Sequence, residues 1–342
     1  MTRILFAIIV LIFAVGDASA RSFTDSAGRK VELPEKVTRV LAAGPPASAA
    51  IYALAPDKLV GWINDFPPAA RPFIAQPYAD LPAHGRLTGR GNTANTEIVL
   101  KLKPDLIVDV GSIDATYASL ADRIQEQTGV PYILIDGAFL KSAQMLRELG
   151  DAIDASPRAI ALAAYTESTL NELKAKIEGL PQDKRPRVYY GRGPAGLETG
   201  LATSVNLEVL DAVGANNVAA AAGKGGLTNV SLEQILAWAP DVIIAQDRNF
   251  YARVLKDPQW QGVPALRQKR VYRAPDTPWG WFDSPPGINR LIGVRWLTAI
   301  LYPEQAAADL RSETREFYKL FYHVELSDAQ IDELLKDATS PK

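Results

Sequence analysis

The hydrophobic pattern of this chain alternates short apolar runs with longer amphipathic stretches. Val37 to Ala43, Leu106 to Val110 and Pro131 to Ile135 are apolar runs of strand length, and the segments between them carry apolar residues at helical spacing. Asn95 precedes one of these helical stretches as a cap, and Pro104 ends it. Strands that alternate with helices predict a mostly parallel sheet with helices on both faces.

One long helix is predicted in the middle of the chain, from Ser156 to Gly179. Ser156 suits the N-cap, Pro157 suits the first helical position, and no breaker follows before Gly179. Roughly 22 helical residues would span about 33 Å, which is more than a crossover between neighbouring strands needs. Strands and helices then begin to alternate again at Arg187. We therefore predict an α/β protein with two Rossmann-like lobes, each with a mostly parallel sheet, joined by one long α-helix.

An internal repeat supports this organisation. The segment 95–108 aligns without gaps with the segment 231–244, at a constant offset of 136 residues, which is 231 minus 95. The predicted boundaries are 21–155 for the first lobe, 156–179 for the connecting helix and 180–342 for the second lobe.

The first twenty residues predict export. Arg3 is followed by an apolar run from Ile4 to Val15 and then by Ala18-Ser19-Ala20, which is typical of a secretory signal peptide cleaved after Ala20. The apolar run is short of the roughly 20 residues that a bilayer span needs. The chain contains no cysteine, so a lipid anchor on a new N-terminal cysteine is excluded. We expect a soluble protein of the periplasm.

Composition excludes several kinds of chemistry. The 342 residues are 47% hydrophobic and carry a formal net charge of -2, without the basic excess that nucleic acid binding needs. The absence of cysteine excludes a thiolate nucleophile, an iron–sulfur cluster and disulfides, and two histidines are few for a site that binds a bare transition metal. We predict no catalytic residue, no cofactor and no metal held directly by the protein, and we expect a monomer.

Several segments together resemble one known family. They are T-R-V-L-A-A-G from Thr38, the paired L-K-P-D-L-I-V and W-A-P-D-V-I-I, V-N-L-E-V-L-D-A-V-G-A-N-N-V-A from Val205, and W-Q-G-V-P-A-L-R-Q-K-R-V-Y from Trp260. Across essentially the whole mature chain, the sequence is similar to the periplasmic substrate-binding proteins of ABC importers, in the class for iron siderophores, haem and vitamin B12. The resemblance implies two α/β lobes bridged by a helix, ligand capture between the lobes, and delivery to a membrane permease without chemistry.

The resemblance also implies a docking role for two glutamates. In this class an exposed glutamate on each lobe is thought to meet arginines of the permease, and Glu97 and Glu233 match those positions. Each glutamate would also stabilise its helix through the helix dipole, by roughly 0.3 to 1 kcal/mol. The two explanations are compatible.

Ligand-binding candidates lie in the loops that follow the predicted strands, because ligands of open α/β sheets sit beyond the carboxyl ends of the strands. Arginines among aromatic residues suit a planar or anionic ligand, through bidentate bonds and stacking. The candidates are Pro45, Arg90, Asn92, Tyr190, Arg192, Arg248, Tyr251, Trp279, Trp281 and Phe282. The last three lie in one Pro- and Gly-bounded loop, which predicts an aromatic wall facing the ligand. The alternative is that one tryptophan anchors the loop in the core while the other is a bystander.

The sequence therefore predicts a non-enzymatic periplasmic receptor for a metal chelate, namely a ferric siderophore, haem or a corrinoid. His84 is a candidate axial ligand to haem. A molybdate or tungstate receptor of the same class is the alternative, because an oxyanion needs a compact set of arginine, hydroxyl and backbone donors, whereas a chelate needs a wide aromatic and cationic cleft. A periplasmic enzyme related to metal chelatases, and an accessory protein that presents its cargo to a sensor, also stay open.

Overall fold

A computed structural model describes residues 20–89, 94–305 and 309–339. Most of the predicted signal peptide and the candidate ligand residues Arg90 and Asn92 lie outside these residues. Within them, no helix is long and apolar enough to span a membrane.

The strands form two parallel sheets and two antiparallel pairs. They are β1 (Ala20–Thr24), β2 (Lys30–Pro34), β3 (Val40–Ala42), β4 (Leu106–Gly111), β5 (Tyr132–Asp136), β6 (Arg187–Gly191), β7 (Glu198–Gly200), β8 (Asn216–Asn217), β9 (Leu227–Asn229), β10 (Val242–Ala245) and β11 (Val271–Arg273). The first parallel sheet has the order β3-β4-β5 and the second has the order β11-β10-β6-β8, while β1 pairs with β2 and β7 with β9. The mostly parallel α/β class that the sequence predicts is confirmed.

The helices cover both parallel sheets and connect them. They are α1 (Pro45–Leu54), α2 (Thr96–Leu102), α3 (Ala115–Thr128), α4 (Ser142–Ala152), α5 (Ser156–Ile177), α6 (Glu208–Ala212), α7 (Leu232–Trp238), α8 (Arg248–Val254), α9 (Pro264–Arg267), α10 (Arg290–Leu301), α11 (Leu310–Tyr322) and α12 (Asp328–Leu335). Apolar side chains on both faces of each sheet are buried beneath them.

The predicted long helix is α5, and it is continuous over 22 residues. Its N-cap is Ala155 and not Ser156, because Ser156 already has helical geometry and no side chain caps the end. Pro157 lies in the first turn, where the missing N–H removes no helical hydrogen bond.

Ion pairs fasten α5 to both lobes. Arg147 of α4 binds Glu167 through two parallel bonds of 2.7 and 2.9 Å. Arg295 of α10 pairs with Glu172 at 3.2 Å. The helix is therefore attached along its length as well as at its ends.

The two copies of the internal repeat share equivalent hydrogen bonds in the structure. Helices α2 and α7 each have seven residues, and each is followed by a left-handed residue with φ of 46° or 45°. Arg39 donates through Nη2 to the carbonyl of Leu102 at 2.7 Å, and Arg187 donates in the same way to the carbonyl of Trp238 at 2.5 Å. In both lobes an arginine at the start of the sheet thus closes the end of the repeated helix, which favours duplication as the origin of the two lobes.

The hydrophobic core continues from one lobe into the other. Tyr52 of α1, in the first lobe, donates its hydroxyl hydrogen bond to the carbonyl of Tyr322 in α11 at 2.5 Å. His323 follows α11 and places Nε2 3.1 Å from the carbonyl of Tyr52. Helix α11 therefore packs on the first lobe, although it comes late in the chain. The boundaries 21–155, 156–179 and 180–342 stay predictions.

Candidate functional site

The carboxyl edges of the two parallel sheets approach each other at one place. In the first lobe, β3 leads directly into Gly44 and Pro45 at the start of α1. In the second lobe, the segment 275–289 follows β11, and a Cβ atom on its Gly287 would lie 3.5 Å from the Cα of Pro46. Three of the candidate ligand residues, Trp279, Trp281 and Phe282, belong to this second-lobe segment.

Arg192 follows β6 on the second-lobe side of this site. Its side chain is 13% exposed; Nε lies 3.0 Å from Oδ2 of Asp283, and Nη1 donates to Glu198 at 2.9 Å. The guanidinium is therefore held by two carboxylates and presents only a small surface.

Asp283 is the buried centre of this arrangement. The hydroxyl of Tyr190 donates to its Oδ1 at 2.5 Å, and Nδ2 of Asn206 donates to its Oδ2 at 2.9 Å. Burial raises the pKa of the Asp283 carboxyl, and the charge of Arg192 opposes that rise. Tyr190 is itself buried and stacks on Phe282 with ring centroids 3.8 Å apart. Tyr190 thus holds Asp283 from inside the core and does not lie on the surface of the cleft.

The structure corrects the prediction of an aromatic wall. Trp279 packs among the first-lobe rings of Tyr52 and Trp62, and Trp281 donates through Nε1 to the hydroxyl of Tyr318 at 3.2 Å. Trp279, Trp281 and Phe282 are all buried. All three rings anchor the loop in the core, where the alternative expected one anchoring tryptophan and one bystander. Burying these large apolar rings stabilises the fold more than leaving them in the cleft.

Other aromatic side chains are also withdrawn from the surface. Within residues 20–89, 94–305 and 309–339, no aromatic side chain is exposed, and the exposed large hydrophobic residues are all aliphatic. The described part of the chain therefore offers no fully exposed ring to a ligand, and aromatic residues such as Phe66 and Tyr117 are half-buried.

Arg248 and Tyr251 lie on α8 but differ in their surroundings. Arg248 is the first helical residue, is exposed, and forms no ion pair with any described residue. Asp247 caps this helix by accepting from the N–H groups of the next two residues after Arg248. Tyr251 is buried in the hydrophobic cluster of the second lobe. Arg248 stays a candidate for ligand contact, whereas Tyr251 is a core residue.

Pro45 and His84 offer little for binding in the first lobe. Pro45 opens α1 half-buried and has no N–H to donate to a ligand. Nε2 of His84 lies 3.1 Å from the carbonyl of Val60, and a Cβ atom on Gly61 would lie 2.2 Å from it. The ring is thus packed against the backbone, which does not favour an axial ligand to haem. No group of three or more metal-binding side chains occurs in the described part of the chain.

A buried carboxyl in the first lobe was missed by the sequence reasoning. Asp109 lies in β4, and the hydroxyl of Tyr132 donates to it at 3.4 Å. Burial raises its pKa from 3.8 to about 6, against hydrogen bonds from Thr88 and Tyr132. A Cβ atom on Gly44 would lie 3.1 Å from Oγ1 of Thr88, so the first-lobe edge is tightly packed above this carboxyl. An aspartate inside the apolar run of β4 was the available signal.

The buried side chain of Arg290 forms hydrogen bonds with both lobes. Arg290 donates through Nη1 to Glu208 of α6 at 2.7 Å and through Nη2 to the carbonyl of Gly137, after β5, at 3.1 Å. Its guanidinium also lies 5.1 Å from the ring centroid of Phe139. Sequence reasoning missed this contact as well, because Arg290 opens the apolar helix α10.

A cavity of about 650 Å³ lies in the second lobe, beside the start of β11. Its lining includes Lys269 and Arg270, which precede β11, together with Ile300 and Leu310. These residues lie at the amino end of the strands, so this cavity is separate from the cleft.

Comparison with known proteins decides the family. Residues 74–278 match the periplasmic binding protein family. The chain belongs to this family. A solute-binding protein of an ABC transporter from Sulfurospirillum deleyianum is 31% identical, with 92% of this chain and 99% of that chain aligned and a TM-score of 0.84. The protein is thus a periplasmic binding protein of an ABC transporter, and the extracytoplasmic location predicted from its N-terminus agrees with its family.

Relatives of this protein differ in what they bind. The molybdate-binding protein MolA of Haemophilus influenzae is 26% identical over 335 residues, which cover 88% of this chain and 91% of that protein. The structure of Helicobacter pylori CeuE with nickel and histidine is 16% identical, with 92% of this chain and 99% of that chain aligned and a TM-score of 0.70. The likeness to CeuE shows the shared fold alone.

Proposed function

We propose that this protein captures an oxyanion of the molybdate or tungstate type between its lobes and delivers it to the permease. The observation that carries the proposal is the polar edge of the cleft, from which the aromatic rings of Trp279, Trp281 and Phe282 are withdrawn into the core. The likeness to MolA supports the same ligand class. A ferric siderophore, haem or corrinoid, the first ligand class that the sequence predicts, would use exposed rings to stack on, and the described edge has none.

Donors suited to an oxyanion are grouped in the second lobe. Arg248 is a cation with no carboxylate partner in the described part of the chain, and Arg192 is held at the same edge. Gln246 follows β10, donates through Nε2 to Oγ of Ser284 at 3.1 Å, and accepts from the N–H of Gly193 at 3.3 Å. A charge-assisted hydrogen bond from such a group contributes roughly 1.5 to 3 kcal/mol. Capture in this way needs no chemical step.

Calorimetric titration of the mature protein tests the ligand class. The panel is molybdate, tungstate, sulfate and phosphate, with ferric siderophores, haem and cobalamin as the chelates. We expect saturable binding of molybdate or tungstate, with sulfate as the matched control for a tetrahedral dianion of smaller size. Binding of a chelate without binding of either oxyanion would overturn the proposal.

Permease docking through both lobes is part of the proposal. Glu97 and Glu233 are exposed in the first turns of α2 and α7. Hydrogen bonds at the start of α7 lower the pKa of Glu233, so this side chain is held charged. Two exposed carboxylates at equivalent positions of the repeat suit a partner with arginines at two positions. We expect a monomer to dock in this way.

Cleavage after Ala20 is part of the proposal. Arg21 would then be the first residue, and its Nη2 donates to the carbonyls of Asp151 and Ala152 at 2.7 and 2.8 Å. Cleavage at this bond would keep these contacts. Mass spectrometry of protein exported by a Gram-negative host tests the site.

A further inference from the structure

We infer that Asp283 is a positioning residue of the ligand site, where it holds the guanidinium of Arg192 at the second-lobe edge. The inference rests on the proposed function, because it depends on a ligand contact made by Arg192. It assigns Asp283 no contact with the ligand, since only 2% of this residue is exposed.

Asp283 is fixed by segments that are far apart in the chain. Oδ1 accepts from the hydroxyl of Tyr190 in β6, and Oδ2 accepts from Nδ2 of Asn206, which precedes α6. Oδ2 also lies 3.0 Å from Nε of Arg192. With both oxygens engaged, the carboxylate has little freedom to move, and it holds the guanidinium of Arg192 in place.

Arg192 is prearranged by this contact. A second carboxylate, Glu198, accepts from Nη1 at 2.9 Å but is 31% exposed, so water and ions reach it. An ion pair with a buried partner is screened much less than one with an exposed partner. Asp283 is therefore the stronger of the two constraints. An arginine already held in place loses less side-chain entropy when a ligand arrives, which favours binding.

The anchoring of the surrounding loop does not need a charge at Asp283. Trp281 and Phe282, the two preceding residues, are buried and attach this segment to α11 and β6. Asparagine at position 283 could satisfy the hydroxyl of Tyr190 and the amide of Asn206. Only a carboxylate also forms an ion pair with the guanidinium of Arg192.

Asp283→Asn is the decisive variant, because it keeps the shape and removes the charge. We expect its affinity for molybdate to fall by about tenfold or more, the effect of losing one charge-assisted contact. We also expect the ¹⁵N resonance of Nε of Arg192 to shift in ligand-free protein, because the carboxylate charge 3.0 Å away is lost. Asp183→Asn, the same change at an exposed position before the amino end of β6, is the matched control and should keep the affinity of the wild type.

Two outcomes overturn the inference. Wild-type affinity in folded Asp283→Asn protein is one, and an unchanged Nε–H resonance of Arg192 is the other. If wild-type protein binds another member of the ligand panel and not molybdate, the same variants are titrated with that ligand, so the oxyanion proposal can fail separately. If Asp283→Asn does not fold, Arg192→Lys replaces it, because lysine keeps the charge without a Nε–H; undiminished affinity in that variant also overturns the inference.

Discussion

The indole of Trp279, in the second-lobe segment after β11, packs against the indole of Trp62 in the first lobe, with ring centroids 5.8 Å apart. Tyr52 and Phe66, also in the first lobe, lie 5.9 and 5.8 Å from the same ring. One side chain of the second lobe thus belongs to the core of the first. The lobes are joined by this packing as well as by helix α5.

Trp279→Ala should destabilise the whole protein and not one loop. Loss of a large buried aromatic ring costs about 3 to 5 kcal/mol, through lost apolar burial and the cavity left behind. The free energy of unfolding in urea measures this change. Trp238→Ala, on the partly exposed end of α7, is the matched control and should cost less. Equal losses in the two variants would contradict the role of Trp279 as a tether.

Closure on ligand should be small, by a few degrees of lobe rotation. Helix α5 is continuous, with no internal glycine or proline to bend it, and Trp279 and Arg290 add contacts between the lobes. Small-angle X-ray scattering of the free and molybdate-saturated protein measures the change in radius of gyration. A clear contraction would show that the lobes hinge in the segments that flank α5, at 153–155 or around Gly179; Gly150, where the sequence suggests a hinge, lies inside α4.

Arg248→Ala should weaken molybdate binding by about 1.5 to 3 kcal/mol, the contribution of one charge-assisted hydrogen bond. Its melting temperature should stay that of the wild type, because Arg248 is exposed and has no ion pair with a described residue. Arg192→Ala should weaken binding and also lower the melting temperature, because it leaves the buried Asp283 without its cation. Calorimetry and differential scanning fluorimetry separate the two effects. Undiminished affinity in both variants would remove these arginines from the site.

Asp109→Asn should change how stability depends on pH. The pKa of Asp109 is about 6 in the folded protein against 3.8 ordinarily, so between about pH 4 and 6 the folded state holds more protons than the unfolded state. Ionisation in the fold therefore lowers the free energy of unfolding as pH rises through this window. The difference in the free energy of unfolding between the variant and the wild type should therefore shift in favour of the variant, by up to about 3 kcal/mol, from pH 4 to pH 7.

Urea unfolding at a series of pH values measures the effect of Asp109→Asn. Asp183→Asn, at an exposed position, is the control and should give a profile parallel to that of the wild type. A parallel profile for Asp109→Asn as well would show that the buried carboxyl does not titrate in this range.

Charge reversal at Glu97 and Glu233 together should abolish transport in cells and leave molybdate affinity in solution unchanged. Both side chains are exposed on short helices and make no contact with Arg192 or Arg248 among the described residues. Uptake of radioactive molybdate by cells that express the variant measures the first effect, and calorimetry measures the second. Normal uptake by the double variant would show that the two glutamates only stabilise their helices and do not dock to the permease.

The sequence by itself determined the alternation of strands and helices in both lobes and the long helix between them. Caps, breakers and apolar periodicity act within a few residues, so the extent of α5 and the repeated helices α2 and α7 could be predicted closely. The repeat at an offset of 136 residues also predicted the two lobes. These features depend on local hydrogen bonding and on which face of an element is apolar. Both are determined by residues that are close together in the sequence.

Only the tertiary structure decided which side chains face the cleft. Trp279 looks the same in sequence whether it lines a ligand or fills a core, and its position depends on Tyr52 and Trp62, more than two hundred residues earlier in the chain. The partner of Arg192 is likewise an aspartate that only the fold brings near. Burial and ion pairing between distant segments follow from the packing of whole lobes, and no local pattern encodes them.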